Sequence, residues 1–101
     1  MRQFGVYRNL SPLSREAPFI LVLQSHHLDA LESVIAAPLR RDKRYLLSQI
    51  DVPIVIRGEA LVVAVAEMAA IEKSAFGPLV QDAGAHEDEI RRALDRLFTG
   101  F

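Results

Sequence analysis

The stretch that organises the rest of the chain is residues 86–101, HEDEIRRALDRLFTGF. Its apolar residues recur at intervals of three and four, the spacing of one face of an α-helix. This apolar stripe consists of Ile90, Ala93, Leu94, Leu97, Phe98 and Phe101. Acidic residues precede the arginines, which suits the helix dipole, and Gly100 is a typical helix end. The stretch predicts an amphipathic helix that docks by its stripe and is followed by an aromatic tail.

The segments before this helix have the composition of β-strands. Short runs of β-branched and aromatic residues alternate with loops that contain proline, serine or glycine. The predicted strands are residues 3–8, 19–24, 34–39, 52–56, 60–66 and a short one within 69–76 that Gly77 and Pro78 end. We expect a wide hairpin from the first two strands and a tight hairpin from residues 52–66. Strands followed by one helix predict an α+β, mainly β, antiparallel barrel or sandwich.

Some segments give weaker patterns. Pro38 favours an edge position or a strand end for residues 34–39, because proline cannot donate to a ladder. Residues 25–32 fit either a helical turn or an irregular bulge, and we interpret them as irregular. Residues 40–44 (RRDKR) predict a basic loop, and residues 45–51 stay unassigned.

Length and composition predict one domain over residues 1–101. The net charge of −1 gives no general electrostatic argument for nucleic-acid binding. The absence of cysteine excludes disulfides and thiol nucleophiles and agrees with a cytoplasmic location. We expect no signal peptide and no membrane contact, because charged residues interrupt the most apolar stretch, 50–71. So small a chain with 50% hydrophobic residues would bury more of them as a dimer.

No catalytic or metal-binding motif stands out. His26 and His27 are adjacent and His86 is distant, so the histidine spacings typical of zinc sites do not occur. The serines lie in no nucleophile elbow, and there is no phosphate-binding glycine loop. We therefore expect no catalytic residue, no metal and no cofactor, and a binding protein rather than an enzyme. The basic run 40–44 is interpreted as a solvated loop, with contact to a phosphate backbone as the alternative.

Taken in order, the segments resemble the CcdB family of bacterial toxin–antitoxin modules over nearly the whole length. The pieces that carry the resemblance are Gln3-Phe4 with Val6-Tyr7, the run that ends in Gln24-Ser25, Ala37-Pro38-Leu39, residues 53–56 with Gly58, Met68-Ala69, residues 77–82, and the final helix with its glycine–aromatic end. Their order and the total length make the resemblance more specific than any single piece.

The resemblance implies a homodimer of an SH3-like antiparallel barrel, the fold shared with MazF-like toxins, with a long C-terminal α-helix. It implies a toxin that is not an enzyme. Such a toxin binds the A subunit of DNA gyrase by its helix and tail and traps the complex of gyrase with cleaved DNA. A CcdA-like antitoxin removes it from gyrase, and only together with that antitoxin does it bind operator DNA and repress the operon.

The resemblance also assigns gyrase-facing residues. They are Thr99, Gly100 and Phe101 in the tail, Asp95, Arg92 and Asp88 on the helix, and Ser25, His27 and Leu28 after the second strand. The helix members recur at intervals of three and four, so they share one face away from the stripe. We expect the carboxylate of Phe101 to accept charge-assisted bonds from a partner arginine.

Three positions depart from the best-known plasmid member of the family. Thr99, Asp95 and Phe101 stand where that toxin has tryptophan, asparagine and isoleucine. Loss of one buried aromatic anchor weakens binding by about 2 kcal/mol or more, or about thirtyfold in affinity.

Two other functions stay open on the sequence. One is a MazF/Kid-like endoribonuclease toxin, for which Arg40, Arg41 and Arg44 form the basic cluster. The other is a decayed, non-toxic homologue that still binds its antitoxin.

Overall fold

The computed structural model describes residues 1–25, 30–42 and 49–100. There the chain forms strands followed by one helix, which confirms the predicted mainly β architecture. The elements are β1 (Gly5–Asn9), β2 (Phe19–Val22), β3 (Ser33–Arg40), β4 (Asp51–Ile56), β5 (Glu59–Ala64), β6 (Ala69–Glu72), β7 (Phe76–Asp82) and α1 (Glu87–Thr99). Short 3₁₀ turns lie at Pro12–Arg15, Val65–Glu67, Lys73–Ala75 and Gly84–His86.

The strands form one seven-stranded antiparallel sheet. Its order is β4-β5-β3-β2-β1-β7. β5 and β6 both pair with the same side of β3, β5 with its C-terminal half and β6 with its N-terminal half. The sheet curls until its two ends meet. There Nε2 of Gln81 in β7 donates to the carbonyl oxygen of Val55 in β4 at 3.2 Å. The architecture is a half-barrel closed at this point by a side chain.

Both predicted hairpins are present. β1 pairs with β2 across the proline-containing loop. β4 and β5 meet at a two-residue turn in which Arg57 and Gly58 have φ values of 50° and 83°. Those left-handed values match the twist of the flanking strands, and glycine adopts them most easily. β5 ends at Ala64, before its predicted end, because the Val65–Glu67 turn begins there.

Strand β3 lies inside the sheet, which corrects the prediction that Pro38 marks an edge or a strand end. The N–H and C=O of Ile35 both bond on the β2 side. Backbone groups alternate in direction along a strand, so the nitrogen of Pro38 points to the other side. On that side of β3, Pro38 lies between Ala36, the last residue that pairs with β6, and Leu39, the first that pairs with β5. The ladder needs no donor at this position.

The prediction of a strand within residues 69–76 was wrong about where that strand ends. The turn Lys73–Ala75 interrupts it, and Gly77 and Pro78 lie inside β7 instead of ending a strand. β7 forms one end of the sheet, where the missing N–H of a proline is tolerated. Gly77 permits close packing, since a Cβ there would lie 3.0 Å from the Cβ of Arg8 in β1.

Apolar side chains form two clusters on opposite faces of the sheet. The larger one fills the inside of the curl and receives Ile90 and Ala93 from α1. The smaller one includes Ile20, Val34 and Phe76. Every residue of β2 is buried, which confirms the prediction that this strand is covered on both faces.

Candidate functional site

Helix α1 is fixed to the sheet by part of its apolar stripe. Ile90 and Ala93 are buried in the larger cluster, and Leu94 and Leu97 pack against that cluster. Docking by the stripe is therefore confirmed for these four residues. The helix lies against β4 and the Val65–Glu67 turn.

Charged and aromatic contacts hold the start of α1. Nε of Arg91 donates to Glu87 at 2.7 Å, and the same guanidinium lies 5.7 Å from the ring centre of Phe4, within cation–π distance. Phe4 has φ 62°, which is unusual for an aromatic residue. Its N–H donates to the carbonyl of Val22 at 2.7 Å, and its own carbonyl accepts from Ala83 at 2.8 Å. These bonds tie Phe4, which Arg91 contacts, to β2 and to the residue that follows β7.

The polar face predicted for α1 is exposed along its whole length. Its members, all exposed, are Asp88, Arg92, Asp95 and Thr99. The hydroxyl of Thr99 donates to the carbonyl oxygen of Asp95 at 2.6 Å, so it serves the helix itself. A partner would therefore meet two carboxylates, one guanidinium and the threonine methyl group.

A polar cavity of about 190 Å³ adjoins this face. Its lining combines Arg92, Glu89 and Arg96 of α1 with Asp51, the first residue of β4, and Gln49, which precedes that strand. Arg96 donates from Nη1 to the carbonyl oxygen of Gln49 at 3.0 Å. Acidic and basic groups both line the cavity, so it carries no strong charge of one sign.

The helix ends at Gly100, as predicted. This residue has φ 81°, and its N–H donates to the carbonyl of Arg96 at 3.0 Å. A Cβ added here would meet no heavy atom within 4 Å, so glycine is favoured only by the left-handed backbone. Gly100 is exposed beside the polar face.

Phe98 corrects the predicted stripe, because its side chain is 68% exposed. At 3.6 residues per turn, Phe98 lies about 80° around the helix from Ile90, toward Asp95. The angular position was available from the sequence and marks Phe98 as the member of the stripe closest to the polar face. Sequence reasoning missed it as a candidate site residue because Phe98 was assigned to the stripe that docks on the core.

Four assigned residues are not on the polar face of α1 or lie outside the described part of the chain. Ser25 is half-buried and follows β2. His27, Leu28 and Phe101 lie outside the described residues. Among the described members of the assigned set, those on α1 share one exposed face.

Two basic residues of the endoribonuclease alternative, Arg40 and Arg41, form ion pairs. Nη2 of Arg40 lies 2.6 Å from Glu67, and both side chains are half-buried. Nε of Arg41 lies 2.6 Å from Glu59, and Arg41 also donates to the carbonyl of Arg15 at 2.9 Å. The hydrogen bond to Glu59 raises the pKa of Arg41 above its ordinary value, against the effect of desolvation. Arg44 lies outside the described residues.

Residues 1–25, 30–42 and 49–100 contain neither a cluster of metal ligands nor a membrane-spanning helix. No group of three histidine or acidic residues in these ranges is arranged to hold a metal ion. Nδ1 of His86 contacts Glu89 at 3.3 Å on the helix surface. No helix in the same ranges has both the length and the apolar character needed to cross a bilayer.

Comparison with known proteins gives a family and a fold. The model of the CcdB protein family matches residues 3–100. No curated protein sequence matches the chain. Among solved structures, the Mycobacterium tuberculosis toxin MazF-mt6 is similar, with a TM-score of 0.77, 17% identity, and coverage of 93% of this chain and 95% of that one. At that identity the likeness concerns the fold alone. Because the family match spans almost the entire sequence, the chain belongs to the CcdB family of toxins of toxin–antitoxin systems.

Proposed function

We propose that this toxin acts by binding the A subunit of DNA gyrase through α1 and its tail. Bound there, it traps the complex of gyrase with cleaved DNA. The toxin catalyses no reaction itself. Membership of the CcdB family supports this mechanism, and the geometry of α1 supports the assignment to the helix end.

The observation that carries the proposal is the change of environment along α1. Ile90 and Ala93 are buried, whereas Phe98, Thr99 and Gly100 are exposed. A large aromatic side chain in solvent adds nothing to the core, but it is a typical anchor of protein interfaces. The helix start therefore fixes the orientation, and the helix end presents the contact.

The chemistry of this end defines the partner surface. Phe98 supplies apolar area close to Thr99, where the plasmid toxin has tryptophan. Asp88 and Asp95 suit cationic groups of the target, and Arg92 suits an acidic one. Gly100 lets the target approach the backbone closely, because it has no side chain.

The proposal includes three further properties that the family implies. The toxin is a homodimer of a single domain over residues 1–101. A CcdA-like antitoxin neutralises it by removing it from gyrase. Toxin and antitoxin together bind operator DNA and repress their operon.

An endoribonuclease activity is the weaker alternative. Stabilising the transition state of RNA cleavage needs cations that are free to meet a phosphate. Arg40 and Arg41 instead form ion pairs with Glu67 and Glu59. We therefore retain this activity only as an outcome of the test below.

The test is expression in a gyrase-sensitive bacterial strain. The full chain should stop growth, and deletion of residues 99–101 should abolish the arrest while circular dichroism shows that the shortened chain is still folded. A strain with a toxin-resistant gyrase serves as the control and should grow normally. Equal toxicity of the truncated chain would contradict the proposal.

Other outcomes identify the alternatives. RNA cleavage in vitro that disappears in the Arg40→Ala and Arg41→Ala variants would identify an endoribonuclease. Normal growth despite full expression, with retained antitoxin binding, would identify a decayed toxin.

A further inference from the structure

The apolar support beneath α1 decreases toward the end of the helix. Ile90 and Ala93 are buried in the larger cluster, whereas Leu94 and Leu97 are only half-buried. At 3.6 residues per turn, Leu94 and Leu97 lie about 60° apart around the axis, so they support the last two turns from one side. Apolar packing therefore fixes the start of α1 more tightly than its end.

The side of α1 that faces β4 is not closely packed near the helix end. The polar cavity of about 190 Å³ lies there, between Arg92 and Arg96 of α1 and Asp51 of β4. A polar space of this size admits water, whereas closely packed regions leave few such spaces. Packing alone therefore does not fix the position of the last two turns relative to β4.

Arg96 spans this cavity with a hydrogen bond. Its Nη1 donates to the carbonyl oxygen of Gln49, which precedes β4, at 3.0 Å. The hydroxyl of Thr99, in contrast, bonds within α1 itself. In the part of the chain that the structure describes, the bond of Arg96 is the polar side-chain contact that joins the last two turns to residues outside the helix.

The position of Arg96 on the helix gives this bond a directional effect. Arg96 is three residues from Ala93 and three from Thr99, so it lies about 60° around the axis from each of them. It therefore stands between the buried side of α1 and the exposed polar face. A bond at this position opposes rotation of the last two turns about the helix axis.

The chemistry of arginine suits this contact. Its long side chain reaches across the cavity, and its guanidinium has several donors in a fixed plane and stays charged at physiological pH. Hydrogen bonds from a charged donor are stronger than those between neutral groups. A cation in the last turn of a helix also interacts favourably with the helix dipole.

We propose that Arg96 is a positioning residue for the gyrase contact. Through its bond to the carbonyl oxygen of Gln49, it fixes the orientation of the last two turns of α1. Asp95 and Thr99 then meet the target in one orientation, while Arg96 itself does not touch the target. The inference rests on the proposed function and adds a residue that acts through the contact residues.

The role follows from the cost of ordering a segment on binding. An interface loses affinity when a mobile segment must become fixed in the complex. A hydrogen bond that holds the end of α1 in the free toxin avoids this loss, because the exposed polar face is already oriented before the target arrives.

Arg96→Met tests this role, because methionine keeps an unbranched side chain and a similar helix propensity but has no donor. Its affinity for the purified gyrase A subunit, measured by surface plasmon resonance, should fall about threefold to tenfold. Arg96→Lys keeps a cation that can donate to the same carbonyl and should restore most of the lost affinity. Arg15→Met removes the same charge from the exposed end of the Pro12–Arg15 turn and should bind like the wild type.

Nitrogen-15 relaxation of the free toxin gives a readout that loss of a direct contact would not change. In Arg96→Met, the backbone order parameters at residues 95–100 should fall. Those at residues 88–93 and in the strands should stay at about 0.85, the usual value for a rigid backbone. Circular dichroism checks that each variant is folded.

The outcomes separate this inference from the proposed function. Weaker binding together with lower order at residues 95–100 alone supports the positioning role. Weaker binding with unchanged order would make Arg96 a direct contact, lower order along the whole of α1 would make its role a general structural one, and wild-type affinity in Arg96→Met would remove its role. Each of these three results overturns the inference and leaves gyrase binding intact. A wild-type chain that does not bind the gyrase A subunit would overturn both.

Discussion

The two ends of α1 have similar amphipathic sequences but opposite environments. Ile90 near the start is fully buried, whereas Phe98 near the end is 68% exposed. The difference arises because Ile90 and Ala93 pack into the core beneath the helix, whereas Phe98 is turned toward the polar face. Periodicity alone therefore identifies an amphipathic helix but does not say which apolar residues stabilise the fold and which meet a partner.

Ile90→Ala should have the largest effect on stability. It removes a fully buried side chain from the larger cluster, and such truncations lower the free energy of unfolding by about 2–5 kcal/mol. Phe98→Ala is the matched variant on the same helix and should change it by only about 0.5 kcal/mol, as for other exposed positions. Urea denaturation measures both. Equal losses would contradict the division of α1 into an anchored and a presented part.

Phe98→Ala should have a large effect on binding, in contrast to its small effect on stability. Loss of an aromatic anchor should weaken binding to the gyrase A subunit by about 2 kcal/mol, or about thirtyfold. Leu13→Ala provides a control, since Leu13 is also exposed but lies in the β1–β2 loop. Surface plasmon resonance with immobilised gyrase A subunit would compare the two. An unchanged affinity for Phe98→Ala would remove this residue from the contact surface.

Gly100→Ala should destabilise the helix end by about 1–2 kcal/mol, the cost of a left-handed backbone for a residue with a Cβ. Gly58→Ala is a close control, because both glycines have φ near 80° and open space around the added Cβ. Thermal unfolding should reveal similar losses in the two variants. Only Gly100→Ala should also weaken gyrase binding, and a similar loss of binding in Gly58→Ala would mean that stability alone controls the interaction.

Glu87→Gln should have the smallest effect, about 0.2–0.5 kcal/mol, from loss of the pair with Arg91. Asp88→Asn removes a neighbouring acid that forms no ion pair with a described residue, so it reports the helix-dipole contribution alone. The difference between the two variants should disappear at high salt, since exposed pairs are screened. A difference that persists in 1 M salt would contradict this origin.

Local patterns predicted much of the fold. The helix, its end at Gly100 and both hairpins depend on residues close in sequence, so their periodicity and turn chemistry were sufficient. Pro38 and Pro78 were misinterpreted because a proline ends a strand only where its N–H is needed. That need depends on neighbouring strands far away in sequence, which a local pattern does not contain.

The candidate site was predictable in part, because the spacing of residues on a helix face is also a local pattern. Asp88, Arg92, Asp95 and Thr99 share a helix face by spacing alone, and the structure presents them together. The exposure of Phe98 depends on how α1 sits on the sheet, so spacing could suggest it but not establish it. The gyrase role came from the family resemblance, and His27, Leu28 and Phe101 fall outside the described residues.

The central claim is that the end of α1 binds gyrase. It is tested most directly by isothermal titration of the purified gyrase A subunit with the full chain and with the chain lacking residues 99–101. We predict measurable binding of the full chain and at least a hundredfold weaker binding, about 2.7 kcal/mol, for the shortened chain. Binding of equal strength by both chains, with both folded, would contradict the account.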